Sequence, residues 1–327
     1  MKKHTIYTLA TLIVISTLLA ACSKVNGSSG GDQLTAVRIA NMNLSVLNVA
    51  REAGYLDEEF ADFQVKIEWS QHPNGPPINE GIASKRIDLA VLGEGAIVGG
   101  ANNDLDTVLI SLASDGLVGV NSIIAHKDSG VQRIEDLQGK RVGVAVGTSH
   151  HVFLLKVLDK AGLSIDDIEV VNLAITDAHP AFQTGQIDAW VTADTYANIE
   201  AANGAVLITN AKEHQIYSPT FYIARGEFAQ QHPEIVEAYL RAIDRAIDLA
   251  ESDYDQFIEF AAKAASQEVE RIKAYEFGVY QNEAPSDELL DQFQQSVEIL
   301  KGLNYVNKDI SIEKFIDTNF INKLKDE

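Results

Sequence analysis

The most distinctive chemical feature of this sequence is a glycine followed by two hydroxyl residues, Gly147-Thr148-Ser149, between a strand pattern and a helix pattern. The strand pattern is the run Arg-Val-Gly-Val-Ala-Val at 141–146, and a helical pattern begins at His150. The first turn of a helix leaves backbone N–H groups without intrahelical partners, so these groups and the hydroxyls can bind an anion. All four residues, His150 included, are therefore candidate ligand contacts. The alternative is that Thr148 or Ser149 only caps the helix.

A second glycine-containing helix start lies at Asn74-Gly75-Pro76-Pro77, after another strand pattern. Proline presets the first helical turn, and glycine lets a ligand approach the backbone closely. Gly75 and Pro76 are therefore candidate contacts at the same site, unless this segment is an ordinary tight loop.

Four polar side chains follow predicted strand ends. Glu94 and Asp194 either bind a cationic or amino group of a ligand or stabilise the N-termini of the helices that begin there. Asn41 and Asn43 follow the first predicted strand and are candidate polar contacts, although asparagine is also common in loops.

Motifs for metal binding and catalysis are absent from the sequence. The eight histidines show no His-x-x-x-His or similar metal-ligand spacing. The sequence contains no Gly-x-Ser-x-Gly elbow, phosphate-binding loop or dinucleotide fingerprint. We therefore expect no metal, no cofactor and no catalytic residues, although a triad scattered along the chain would leave no such motif.

The charge balance limits the classes of partner. The chain carries 47 acidic and 26 basic residues, a formal net charge of −21. This charge argues against nucleic acid and anionic membrane surfaces as direct partners. An anionic ligand would have to be held by local donors such as helix N-termini, because the overall field repels it.

The N-terminal segment has the pattern of an export signal. Lys2 and Lys3 precede an apolar stretch at 6–19, which is about fourteen residues and too short to span a bilayer. Cys22 is the only cysteine, so no internal disulfide can form, and the small residues before it resemble the bacterial lipobox. We expect cleavage after residue 21, acylation of Cys22 and a flexible Ser/Gly/Asn-rich tether at 22–33. The alternative is a soluble secreted protein with an incidental cysteine.

From residue 36 onward, β-rich runs alternate with helical patterns, which predicts an α/β fold with parallel sheets built from βαβ units. The predicted strands form two sets, 36–41, 63–69, 88–92 and 107–112, then 122–126, 141–146, 168–172, 188–192 and 206–209. Helical patterns then occupy 233–250, 254–265, 267–277 and 287–303. We therefore predict two Rossmann-like lobes, one of residues 34–121 plus 224–327 and one of 122–223, with the helical tail packed on the first.

Two crossings between the lobes, near 120–124 and 218–224, predict a hinge. Open α/β sheets bind ligands at the carboxyl ends of their strands, so the site is predicted in the cleft between the lobes, where Thr220 is a further candidate contact. The runs Ile-Asp-Leu-Ala-Val at 87–91 and Ile-Asp-Ala-Trp-Val at 187–191 echo one another. This echo indicates either an internal duplication or only the general likeness of βαβ units.

Several of these segments together resemble the nitrate, sulfonate and taurine-type periplasmic binding proteins, which share their fold with the thiamine-pyrimidine binding proteins. The resemblance spans about residues 34–303. It depends on Trp69 through Pro77, on the run Ile-Glu-Asp-Leu-Gln-Gly-Lys-Arg-Val-Gly-Val at 134–144, on Gly147-Thr148-Ser149, and on Asp177-Ala178 through Trp190. It implies a type II-like periplasmic binding protein fold.

The resemblance also implies roles for individual residues. In relatives, the loop matching Gly147 to Ser149 holds the anionic head of the ligand. The segments matching Gly93-Glu94 and Asp194 through Tyr196 contribute from the facing strands. Relatives often have Gly-Asp-Thr-Pro where this chain has Gly-Glu-Gly-Ala at 93–96, and Trp-Asp-Pro-Tyr where it has Ala-Asp-Thr-Tyr at 193–196. These departures imply a wider, less aromatic pocket.

The resemblance implies an extracytoplasmic solute-binding component of an ABC importer, a monomer anchored to the membrane through its N-terminal lipid. Its partners would be a small anionic or zwitterionic solute of the sulfonate, taurine or nitrate class and permease subunits with a cytoplasmic ATPase. Three alternatives remain. The first is an enzyme on the same fold, of pyrimidine synthase or dehydratase type, with His150 as acid or base. The second is a binding protein for a pyrimidine precursor of thiamine, and the third is a sensor subunit feeding a receptor.

Overall fold

The structure is a computed structural model that describes residues 34–42, 45–273 and 280–326. The chain divides into two units, Met1–Thr35 and Ala36–Glu327, and all elements below belong to the second. Cys22 and Asn43, two of the predicted functional residues, lie outside the described residues. Among the described residues, no helix combines the length and the apolar character needed to cross a bilayer.

Ten strands are described, and nine of them were predicted from the alternation of apolar runs. They are β1 (Ala36–Asn41), β2 (Lys66–Gln71), β3 (Leu89–Gly93), β4 (Thr107–Ser114), β5 (Ser122–Ala125), β6 (Arg141–Val144), β7 (Glu169–Asn172), β8 (Ala189–Thr192), β9 (Val206–Asn210) and β10 (Thr220–Arg225). The first strand has the predicted bounds, and the other predicted strands differ by a few residues at one or both ends. The unpredicted strand is β10.

Fourteen α-helices lie between and after the strands in the described part of the chain. They are α1 (Val46–Glu52), α2 (Tyr55–Glu59), α3 (Gly75–Ala83), α4 (Glu94–Asn102), α5 (Ser149–Lys160), α6 (Ile175–Gln183), α7 (Asp194–Ala202), α8 (Ala211–His214), α9 (Gly226–Gln231), α10 (Pro233–Ser252), α11 (Tyr254–Ala265), α12 (Val269–Lys273), α13 (Asp287–Gly302) and α14 (Asn319–Asp326). Residues Ile134–Leu137 form a single 3₁₀ turn. Further 3₁₀ turns are Ala61–Phe63, Ile165–Asp167 and Ile312–Phe315.

The strands form two five-stranded sheets with the same plan. Sheet 1 has the order β2-β1-β3-β10-β4, and sheet 2 has the order β7-β6-β8-β5-β9. In each sheet the first three strands are parallel, and the fourth, β10 or β5, runs antiparallel to both of its neighbours. The alternating pattern predicted this α/β architecture, but the predicted parallel sheets are in fact mixed, with one antiparallel strand in each.

An Arg–Asp pair occupies the same place in both sheets. In sheet 1 the backbone N–H of Arg38 donates to Asp88 Oδ2 at 3.0 Å, and in sheet 2 that of Arg141 donates to Asp188 Oδ2 at 2.9 Å. Each arginine side chain also binds the same aspartate, and the Arg141 hydrogen bond holds the pKa of Asp188 below its usual range. The echoed runs at 87–91 and 187–191 therefore mark equivalent positions of two sheets that share one strand order.

The return of the chain to sheet 1 begins earlier than predicted. The sequence placed residues up to 223 in the second lobe, whereas Thr220–Arg225 is a strand that pairs antiparallel with both β3 and β4. Its central residues are fully buried, which explains the aromatic and branched run Phe-Tyr-Ile. The division into two hinged lobes stays a prediction. The observed sheets are joined by two segments, residues 115–121 and 211–219.

The C-terminal helices pack on sheet 1. Phe293 of α13 stacks on Phe221 of β10 with ring centroids 5.9 Å apart, and both rings are fully buried. Leu289, Val297 and Leu300 of the same helix belong to the buried cluster that covers β3, β4 and β10. Sheet 2 has its own buried clusters on its two faces.

Candidate ligand-binding cleft

A cavity of about 320 Å³ lies where the carboxyl ends of β1 and β3 in sheet 1 meet those of β6 and β8 in sheet 2. This is the position that the rule for open α/β sheets predicts. The segments nearer sheet 1 contribute Asn41, Met42, Ser45, Pro73, Asn74, Gly75, Val91, Gly93, Ala96 and Thr220. Those nearer sheet 2 contribute Gly119, Val120, Ala145, Thr148, Ser149, His150, Ile175 and Ala193.

Five of the described helices have their N-cap residue on the wall of this cavity, and in three of them that residue is polar. The N-cap residues Ser45 of α1, Asn74 of α3 and Thr148 of α5 all line the cavity, yet none makes a side-chain capping hydrogen bond. The Thr148 hydroxyl instead donates backward to the carbonyl of Ala145 at 2.6 Å. The first-turn N–H groups of α5 are therefore left for another acceptor, which favours the anion site over the simple cap.

The starts of α4 and α5 are in direct contact, and glycine makes this contact possible. A Cβ at Gly95 would lie 2.6 Å from the carbonyl carbon and oxygen of Thr148, and one at Gly93 would lie 2.2 Å from Ser149 Oγ. Cβ atoms do not approach other atoms so closely. A larger residue at Gly95 would therefore have to move α4 against the backbone of α5, whereas one at Gly93 would have to displace the Ser149 hydroxyl.

His150 lines the cavity and is held by a buried asparagine. Its Nδ1 lies 2.6 Å from Oδ1 of Asn121, a residue with no exposed surface, on the segment that joins the two sheets. Burial lowers the pKa of His150 to about 4, so the imidazole is neutral at physiological pH. The sequence predicted the histidine, but the asparagine lies 29 positions away and was missed.

The two predicted acidic contacts do not line the cavity. Glu94 is fully buried, its carboxylate within 3.4 Å of Lys156 Nζ, and it accepts a hydrogen bond from Ser296 Oγ at 2.7 Å. Asp194 accepts from the backbone N–H of Gly119 at 2.8 Å and from Ser122 Oγ at 2.6 Å. Both carboxylates have protein partners, so the structure favours the structural alternative for each.

Three other predicted contact residues, Gly147, Pro76 and Tyr196, do not line the cavity. Gly147 has φ of +80° and turns the chain from β6 toward α5, and a Cβ there would lie 3.7 Å from Cγ of Pro76 across the cleft. Tyr196 packs instead among aromatic rings, 5.3 Å from Trp190 and 5.2 Å from His179 between centroids. Tyr196 is therefore part of the packing of sheet 2.

Asn41 does line the cavity, and its amide belongs to a small polar network. Its Oδ1 accepts from the Met42 N–H at 2.9 Å and from Ser45 Oγ at 3.2 Å, and its Nδ2 donates to Asn48. The network fixes the end of β1 against the start of α1. Thr220 and Gly75, two of the candidate contacts, also line the wall.

The remaining wall is apolar and uncharged. Met42, Val91, Val120 and Ile175 contribute hydrocarbon surface, and none of the described lining residues carries a carboxylate, ammonium or guanidinium group. No group of three or more His, Cys, Asp and Glu side chains in the described ranges could hold a metal ion. The cavity thus suits an anionic head at the helix starts and an uncharged remainder.

Comparison with known protein families identifies the group to which this arrangement belongs. The model of the NMT1/THI5-like family matches residues 41–256, which include all of sheet 2, the strands of sheet 1 other than β1, and the entire wall of the cavity. The chain belongs to the NMT1/THI5-like family.

Known relatives and solved structures each match more than half of the chain. A Bacillus subtilis protein provisionally named an aliphatic sulfonates-binding protein is 31% identical over 98% of this chain and 97% of its own length. The taurine-binding periplasmic protein of Escherichia coli is 30% identical over 54% of this chain and 56% of its own.

Among solved structures, the alkanesulfonate-binding protein of Xanthomonas axonopodis pv. citri bound to MOPS has a TM-score of 0.78 at 23% identity, covering 87% of this chain and 98% of its own. A desulfurization enzyme in complex with biphenyl-2-sulfinic acid has a TM-score of 0.65 at 16% identity, covering 89% and 99%. These likenesses show a periplasmic binding protein fold, and the second shows that an enzyme shares it.

Proposed function

We propose that this protein is the extracytoplasmic solute-binding component of an ABC importer and that its cleft captures a small organic anion of the aliphatic sulfonate class. The observation that carries the proposal is the cavity between the two sheets, where uncapped helix starts face an otherwise apolar wall. Backbone N–H groups at helix N-termini bind oxyanions without a charged side chain. The names of the sulfonate-binding relatives point to the same ligand class.

An aliphatic sulfonate fits this wall better than the other members of its class. The ammonium group of taurine would need a carboxylate, whereas Glu94 and Asp194 are both engaged elsewhere and do not line the cavity. Burying an unpaired charge is costly. Nitrate would leave most of the apolar wall and of the 320 Å³ volume unused.

Capture would take place by closure of the two sheets and their helices around the ligand. The two joining segments, 115–121 and 211–219, would act as the hinge, and the closed form would be presented to the permease. The direct contact of Gly95 with Thr148 is consistent with a closed arrangement.

Binding is favoured over catalysis by the composition of the cavity wall. His150 is the single titratable side chain among the described lining residues, and no carboxylate lies on the wall to serve as a second acid–base group. General acid–base chemistry on small molecules usually needs such a partner. The relatives with the longest matches are binding proteins by name.

The membrane anchor is a separate part of the proposal. Cys22 follows the export pattern and would be acylated after cleavage, which would hold a monomer on the extracytoplasmic face of the membrane. Replacement Cys22→Ser should leave the precursor unprocessed and free of lipid. Normal membrane retention of that variant, measured by fractionation, would refute the anchor without affecting the solute-binding proposal.

A thermal-shift panel tests the ligand class. The purified protein is heated with butane-1-sulfonate, ethanesulfonate, taurine, nitrate and an aminopyrimidine, because a ligand that binds only the folded state raises Tm by mass action. We expect a saturable shift with the alkanesulfonates and a weaker one with taurine. A shift with the aminopyrimidine alone would contradict the sulfonate proposal and support a binding protein for a pyrimidine precursor of thiamine.

A further inference from the structure

The tautomer of His150 is set by its hydrogen bond to Asn121. An amide oxygen can only accept, so the Nδ1 that lies 2.6 Å from Asn121 Oδ1 carries a hydrogen. In a neutral imidazole the other ring nitrogen, Nε2, then carries a lone pair and no hydrogen. Nε2 has no hydrogen-bond partner within the described part of the chain, and His150 belongs to the cavity wall.

An oxyanion bound next to Nε2 would place two hydrogen-bond acceptors against each other. Sulfonate oxygens are acceptors, and the Nε2 lone pair is also an acceptor, so the two repel unless Nε2 gains a hydrogen. Turning the Asn121 amide over would let its Nδ2 donate to Nδ1 and give a neutral ring with Nε2–H, but it would leave Oδ1 buried where Nδ2 now lies without a partner. In the observed orientation of Asn121, a proton on Nε2 is what satisfies both the ring and the oxyanion, and proton uptake on binding distinguishes the two arrangements.

The charged groups around the start of α5 are already paired and do not supply this proton. On α4, Glu94 binds Lys156 of α5 and Ser296 of α13. Asp194, at the start of α7, binds Gly119 of the joining segment and Ser122 of β5. His151 points away, with its ring 4.8 Å from that of Tyr305, and β8 carries no titratable side chain.

We propose that an oxyanion binds at the start of α5 together with one proton, which is taken from solvent onto Nε2 of His150. The bound histidine is then an imidazolium with Nδ1–H donating to Asn121 and Nε2–H donating to the ligand. One N–H bond forms and no bond in the ligand breaks. The negative charge of the ligand and the positive charge of the proton cancel, so the complex has the same net charge as the free protein. This inference rests on the proposed function, because it requires an anionic ligand in the cleft.

The expected size of the coupling follows from the environment of the ring. Burial disfavours the imidazolium in the free protein, where the pKa is lowered to about 4. A full negative charge within hydrogen-bonding distance, in a site with little water, favours the imidazolium and raises the pKa toward neutrality. Between these two pKa values, ligand binding takes up a proton and the affinity falls as the pH rises.

Calorimetric titration with butane-1-sulfonate measures the proton directly. The sulfonate stays ionised between about pH 5.5 and pH 7.5, so any proton exchanged with the buffer belongs to the protein. Titrations at about pH 6 in two buffers with different ionisation enthalpies should show uptake approaching one proton per ligand. Across that range, Kd should rise by up to about tenfold for each pH unit. Equal heats in both buffers with a pH-independent Kd would overturn the proposal.

Two variants assign the proton to His150. His150→Gln removes the titrating ring, so binding should become independent of pH and of the buffer. His232→Gln, at the N-cap of α10 and outside the cavity wall, should retain the full uptake. Asn121→Asp places a carboxylate against Nδ1 and should charge the ring before the ligand arrives, which lowers the uptake. Full uptake in His150→Gln would also contradict the proposal.

The outcomes also separate this inference from the proposed function. Failure of the wild-type protein to bind any alkanesulfonate would count against the proposed function, whereas binding without proton uptake would contradict this inference alone.

Discussion

Glu94 and Lys156 form a buried ion pair between helices that belong to different sheets. Glu94 begins α4, which follows β3 of sheet 1, and Lys156 lies on α5, which follows β6 of sheet 2. The Lys156 ammonium lies 3.2 Å from Glu94 Oε2 and also donates to the carbonyl of Tyr217 at 2.8 Å. The pair therefore joins the two walls of the cleft close to the cavity.

Breaking this pair from one side should be strongly destabilising. Lys156→Met leaves the Glu94 carboxylate buried without its cation, which costs about 3–5 kcal/mol in comparable pairs. The double variant Glu94→Gln with Lys156→Met should lose less than the sum of the single variants, because neither charge is then stranded. Urea denaturation provides the free energies of unfolding.

An exposed pair serves as the control for this measurement. Lys85 and Glu227 also form a salt bridge, but their side chains are 66% and 43% exposed. Lys85→Met should therefore cost less than about 1 kcal/mol. Equal losses for Lys156→Met and Lys85→Met would show that the buried pair does not hold the two walls together.

Gly95 should tolerate no side chain, whereas Gly99 on the same helix should. A Cβ at Gly95 meets the Thr148 backbone at 2.6 Å, and a Cβ at Gly99 meets nothing within 4 Å. Gly95→Ala should force α4 away from α5 and weaken sulfonate binding by at least about tenfold, a loss of about 1.4 kcal/mol. Gly99→Ala should keep the affinity and raise stability by about 0.5–1 kcal/mol. Unchanged Kd in Gly95→Ala would contradict the close contact.

The variant Asp194→Asn tests whether the Asp194 carboxylate has a structural role or contacts the ligand. Because Asp194 accepts hydrogen bonds from Gly119 and Ser122, the variant should weaken the attachment of α7 to the joining segment and lower Tm. Amino-bearing and amino-free sulfonates should then lose affinity by the same factor. A selective loss for taurine, measured by calorimetry against ethanesulfonate, would instead restore Asp194 as an ammonium contact.

His151 should make the ligand-free protein sensitive to acid. Burial lowers its pKa to about 4, so between that value and 6.5 the unfolded chain binds a proton that the folded protein does not. Stability is therefore lost as the pH falls through this window. His151→Phe removes the buried Nε2 and retains a ring against Tyr305. The unfolding free energy of the variant minus that of the wild type should therefore be about 2 kcal/mol larger at pH 5 than at pH 8. The same difference in unfolding free energy at both pH values would contradict this account.

The sequence predicted those parts of the fold and site whose signals are local. The alternation of apolar runs located nine strands, and glycine and hydroxyl residues at helix starts located Gly75, Thr148 and Ser149 on the cavity wall. β10 escaped prediction because its partners, β3 and β4, lie more than one hundred residues earlier in the chain. A strand whose pairing is so distant leaves only a short apolar run in the sequence.

The roles of individual polar residues depended on partners that no local pattern reveals. From the sequence, Glu94 could bind a ligand or stabilise a helix. Which role it has depends on its partner Lys156, which is 62 residues away on α5, the helix that follows β6 of sheet 2. Val91, Val120 and Ile175 gave no signal because the same residue types fill the core. Tyr196, implied by family resemblance, packs against Trp190 instead of reaching the cavity.

The most direct test of the central claim is a calorimetric titration of butane-1-sulfonate into the wild-type protein, Ser149→Ala and Ser149→Asp. The account predicts saturable binding of one ligand by the wild type and a loss below about tenfold for Ser149→Ala, which removes one hydroxyl. Ser149→Asp places a carboxylate where the anionic head should bind, so its affinity should fall by at least about 100-fold. No saturable binding by the wild type, or equal affinity in Ser149→Asp, would contradict an anion site at the start of α5.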